Sequence, residues 1–129
     1  MRGVEIHDSH PRGHLAFDLE DILKCLGDEA LARTWTCSGV ECNTEKGREL
    51  ERLADAGEQV PGRALLELAE RTDQVIEGHF RGRRPGEAHD SLIVKAIDST
   101  LWEVFGPDDC LVRIRSAFSD VRPAEYEVD

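Results

Sequence analysis

The sequence predicts an α+β fold: N-terminal helices packed on a small three-stranded antiparallel meander sheet, followed by a C-terminal helix. Three observations lead there. Apolar residues recur at three- and four-residue intervals through the first half of the chain. The interval drops to two over residues 74–105. A proline followed by two aspartates at 107–109 then restores the helical interval.

The elements follow in order. Residues 1–14, MRGVEIHDSHPRGH, are polar and broken by proline and glycine, and read as a flexible N-terminal segment. Asp18 is a good N-cap for a helix over 19–26, with Leu19, Ile22, Leu23 and Leu26 on one face and Gly27 as the stop. Asp28 can cap a short turn through Ala32. Residues 33–42, RTWTCSGVEC, alternate around Trp35 and Cys37 as a short strand does. Ser38-Gly39 is a turn signal there, so a tight hairpin or an irregular loop follows. From Thr44 the pattern is helical again. Leu50, Leu53 and Ala54 share a face, Glu45/Arg48, Glu49/Arg52 and Arg52/Asp55 pair on the other, and Gly57 closes the run. Val60-Pro61-Gly62 is a joint, and Ala64, Leu65, Leu68 and Ala69 start a further helix that stops near Thr72.

Residues 74–81 alternate, residues 82–90 form a loop of arginine, glycine and proline, and residues 92–97 are the strongest strand. A short turn at Asp98-Ser99-Thr100 leads to a returning strand over 101–105, which places 92–97 between its two neighbours. Pro107 at a first helical position, with Asp108 and Asp109 in the first turn, begins the last helix. Leu111, Ile114 and Phe118 form its buried stripe. Residues 15–121 are read as one α+β domain and residues 122–129 as a polar tail. Trp102 is expected in the core, while Trp35 suits either the core or an exposed binding surface.

Composition narrows the function classes. A chain of 129 residues can bury roughly two-thirds of its unfolded surface, so it needs neither metal nor disulfide to fold. The net charge is −11, with 8 basic against 15 acidic residues over 1–70 and 8 against 12 over 71–129. Both halves thus repel nucleic acid phosphates and anionic membrane surfaces. Seven aromatic residues are too few for base-stacking platforms. No apolar run approaches the roughly 20 residues of a membrane span. With no apolar leader at the N-terminus, Cys25, Cys37, Cys42 and Cys110 are expected as reduced thiols and the protein as cytoplasmic.

No phosphate-binding glycine loop, dinucleotide fingerprint, nucleophile elbow, zinc-protease motif, CxxC pair or EF-hand loop is present. Three constellations remain. His7, His10 and His14, with Cys37 and Cys42, carry metal-ligating atoms. They lack the two-pair arrangement of the common zinc sites, so neither a metal nor another cofactor is expected. Arg81, Arg83 and Arg84 stand together in a negative chain, and their forks suit phosphate or carboxylate; pairing with Glu87, Asp90 or nearby surface carboxylates is the plainer reading. Glu77 and His79 share one face of a strand. With Lys95 and Glu103 on that face they form either a cross-strand ion-pair ladder or an acid–base site.

The functional expectation is an interaction protein: a small acidic inhibitor, immunity- or antitoxin-like in general character, that binds a basic protein partner. No motif carries that comparison to a family. A small enzyme using the sheet face, and a metal- or ligand-binding accessory domain, are the alternatives. A homodimer through an exposed sheet edge is also open to it.

Overall fold

The computed structural model describes residues 1–125. Its elements run β1 (Arg2–Ile6), α1 (Leu19–Leu26), α2 (Asp28–Leu31), β2 (Thr34–Cys42), α3 (Arg48–Ala56), β3 (Gln59–Pro61), α4 (Gly62–Glu70), β4 (Val75–Arg83), β5 (Leu92–Ile97), β6 (Leu101–Phe105), α5 (Asp108–Ala117) and β7 (Val121–Glu125). The strands form one antiparallel sheet in the order β3-β2-β4-β5-β6-β1-β7. Among the described residues no helix is long and apolar enough to cross a membrane.

This seven-stranded sheet replaces the three-stranded meander that the sequence suggests. The meander is there as the middle of the sheet, β4-β5-β6. Strands β1 and β7 extend it on one side and β2 and β3 on the other. The added strands escape a local reading for physical reasons. In β1 only Val4 and Ile6 mark the alternation, and its partner β6 lies about a hundred residues further along. β7 contains Pro123, which only an edge strand tolerates. In β2, Gly39 adopts φ 59 and the pairing with β4 shifts register between Ser38 and Glu41. The glycine therefore makes a bulge in one nine-residue strand instead of a hairpin turn.

The helical half follows its local signals closely. Asp18 caps α1, and its Oδ1 also accepts from Val75 N at 3.1 Å, which ties the helix start to β4. Gly27 ends α1 and Gly57, in the left-handed region, ends α3.

Leu19, Ile22, Leu23 and Leu26 of α1, Leu50 and Ala54 of α3, Leu65 and Ala69 of α4, and Cys110, Leu111 and Ile114 of α5 enter one apolar cluster. The sheet contributes a continuous row to it: Val4, Val104, Val94, Phe80 and Cys37 face one another across five strands. All five are essentially inaccessible to solvent. Trp102 stacks on Phe80 in this layer, and Trp35 is buried with its Nε1 donating to Ala30 O at 2.9 Å. Both tryptophans are therefore core anchors. The helices cover one face of the sheet and leave the other to side chains of the strands.

Two outcomes test this architecture. The amides of Leu92–Ile97, at the sheet centre, exchange more slowly than those of the edge strands β3 and β7; equal rates would contradict the strand order. At Gly62 an added Cβ would lie 2.1 Å from Ala30 O and 2.7 Å from Leu31 Cα, both backbone atoms that cannot swing aside. Gly62→Ala should cost about 3 kcal/mol or more, at the upper end of overpacking changes, in urea denaturation.

Candidate functional site

The face without helices carries the residues that the alternation singles out. Stepping one position along each strand from the buried row gives Glu5, Glu103, Lys95, His79 and Ser38, again in register across five strands. His79 thus faces Lys95 directly, and Lys95 faces Glu103. Glu77 lies two residues along from His79, facing Glu41. Its Oε1 accepts from Asp98 N at 2.6 Å, so it caps the β5–β6 turn and stands apart from the row. Burial pushes the Glu103 carboxyl above its ordinary range; Lys95 opposes that rise and Glu5 adds to it. On the same face Phe105 lies over Gly3, filling the space where a Cβ would stand. Lys95 Nζ sits 5.7 Å from the centre of that ring. Phe105 and Ile93 are buried although neither belongs to the helix-covered cluster.

The arginine segment splits. Arg81 stands exposed on β4, on the helix-free face across from Ile93 and Thr36. Arg83 Nη2 lies 3.3 Å from Asp90 Oδ1. Arg84 Nη2 donates to Glu29 Oε2 at 2.6 Å, while its backbone N donates to Glu87 Oε1 at 2.7 Å.

Behind this loop lies a residue that sequence reasoning missed. Arg33 is the one buried charged side chain among the described residues, 3% exposed. Its Nη1 donates to Glu29 Oε2 at 2.9 Å and to Glu29 O at 2.7 Å, and its Nε donates to Ser91 Oγ at 2.9 Å. Ser91 in turn donates to Glu87. One network so joins α2, the start of β2, the arginine loop and the approach to β5. The i,i+4 spacing of Glu29 and Arg33 was the available signal; the burial of Arg33 was not. Arg33, then Arg84, holds the Glu29 carboxyl below its ordinary range.

The thiols are unbridged. Burial pushes Cys37 and Cys42 up to about 12, so both stay protonated near neutral pH and ligate metal poorly. Among the described residues Glu29, Asp109 and Cys110 form the one group of three metal-ligating side chains within 4.8 Å. There Glu29 is already engaged by two guanidinium groups, and burial raises the Cys110 thiol with Asp109 and Glu29 adding to the rise. That chemistry suits an ion-pair network and is poor for a metal. The surface hollow beside the arginine loop, about 280 Å³, is lined by Thr34, Thr36 and Gln59 together with Arg83, Arg84, Glu87 and Asp90, so it holds both signs of charge.

No family model, no curated protein and no solved structure matches this chain.

Removing the buried guanidinium tests the network. Arg33→Ala removes the buried guanidinium's bonds to Glu29 and Ser91 and should cost about 1–3 kcal/mol in denaturant unfolding, since Glu29 keeps Arg84 as a partner. Glu29 also sets a pH dependence. Its folded value lies below the unfolded 4.5, so its contribution is complete above that pH and is lost as pH falls through the folded value. Glu29→Gln should flatten the acid limb of stability below pH 4.5; an unchanged limb would show that the pair is idle.

Proposed function

We propose that this chain is a binding module that engages a basic protein partner, as a small inhibitor or neutralising protein does. One observation carries the reading: the basic loop is turned onto the protein's own acids. Arg83 pairs with Asp90, and Arg84 and Arg33 pair with Glu29, so the main concentration of positive charge is largely neutralised internally. What the net charge of −11 leaves facing outward includes exposed Asp28, Asp55, Glu58 and Glu67 around the helical layer. Such a surface steers a cationic partner and repels phosphate.

The sheet face supports a second reading, an acid–base site. The observation in its favour is the in-register juxtaposition of His79, Lys95 and Glu103, with the Glu103 carboxyl raised by burial. A general base and a cation at hydrogen-bonding range of one substrate are what such chemistry needs.

Immobilised protein incubated with extract of its native host should retain one basic partner in stoichiometric amount. The association rate should fall about tenfold or more between low and physiological salt, as steered encounters do. Arg83→Ala with Arg84→Ala should leave the fold intact, because exposed pairs contribute little. Turnover in the extract that His79→Ala abolishes in a folded protein would replace the binding reading with the catalytic one.

A further inference from the structure

The segment between β1 and α1 has a shape of its own. Ser9 and Leu15 form an isolated antiparallel bridge. Inside it His10 N donates to His14 O at 2.7 Å and Gly13 N donates to His10 O at 2.9 Å. Gly13 takes φ 93, a value that glycine reaches without strain and that lets the chain reverse in so few residues. The result is a small hairpin with His10 opposite His14. Their rings stack with centroids 4.6 Å apart and planes inclined by 28°. Both side chains are exposed.

We propose that His10 and His14 form a two-imidazole site for a late first-row divalent cation, of the class of Cu²⁺, Ni²⁺ and Zn²⁺. An imidazole nitrogen sits about 2.0–2.1 Å from zinc, so two nitrogens on one ion lie within about 4.2 Å of each other. With the ring centroids 4.6 Å apart and both side chains exposed, rotation about their side-chain torsions can turn one nitrogen of each ring toward a shared ion. The hairpin bonds have already brought the two residues together, so the ion does not bear the cost of closing the loop. Imidazole favours these cations over calcium and magnesium, which take oxygen ligands.

The neighbouring donors are engaged elsewhere. His7 Nε2 lies 2.9 Å from Glu5 Oε1, and both Asp8 carboxylate oxygens accept from the backbone N–H groups of Ser119 and Asp120. Water or a ligand group from outside therefore completes the coordination, which makes the site open. It is also separate from the core, so the fold does not depend on it.

Calorimetric titration of the full chain with Cu²⁺, Ni²⁺ and Zn²⁺ chlorides tests the assignment, with the Cu²⁺ absorption band as a second readout. One ion per chain is expected, with Cu²⁺ bound most tightly. Losing an outer-shell partner costs a site about 10–100-fold in affinity, so His10→Ala or His14→Ala, each removing a ligand, should weaken binding at least as much. His7→Ala and His89→Ala should leave affinity unchanged, and circular dichroism should show every variant folded. Binding that survives both ligand substitutions, or no saturable binding of any of the three ions, would overturn the proposal.

Discussion

The alternation of side chains along a pleated strand ties the core of this protein to its candidate site. Val4, Val104, Val94, Phe80 and Cys37 must all point toward the helices to close the apolar layer. The pleat then sends Glu5, Glu103, Lys95, His79 and Ser38 to the opposite face, in the same order. The charged row is thus held in register by the burial of the row beside it. A slip of one residue in any central strand would carry a charge into the core and an apolar side chain out of it. The positions of His79, Lys95 and Glu103 are fixed by packing whatever they do for function.

A second constraint joins the helical layer to the sheet. Arg33 is buried at the start of β2, and its bonds to Glu29 and Ser91 satisfy it from two elements at once. Trp35 anchors the same junction through Ala30 O, and Gly62 lies so close to that carbonyl that no side chain fits between. Glu29 extends the junction outward to Arg84. The arginine loop is in this way bound to the body of the protein, and its charge is spent on internal pairs. The binding role proposed above rests on that consequence: the surface field is set by the unopposed acids.

Local signals in the sequence sufficed where the physics is local. Asp18 and Gly27 mark α1, Gly57 marks the end of α3, and Leu92–Ile97 stands out as a strand because Leu92, Ile93 and Val94 form an apolar run that Ala96 and Ile97 resume after Lys95. Alternation made it legible that His79, Lys95 and Glu103 can share a face; the register that sets them side by side comes from the pairing of β4, β5 and β6. What was not legible depends on distant partners. β1 and β7 are too short or too proline-marked to declare themselves and become strands only by pairing with each other and with β6. Glycine at 39 signals a turn in isolation, but pairing with β4 on both sides of it turns that signal into a bulge. The burial of Arg33 could not be read from spacing, because a Glu–Arg pair four residues apart looks the same on an exposed helix.

Strand β1 continues the sheet beyond β6 and carries both rows onto a fifth strand. Backbone nuclear Overhauser effects measured on the isotope-labelled protein test this arrangement most directly. Cross-strand contacts should link Val4 with Val104 and Val4 with Pro123, alongside those linking Val94 with Phe80 and Val104. If the β4-β5-β6 contacts appear and those of residues 2–6 do not, the sheet ends at β6 and the five-strand rows do not exist.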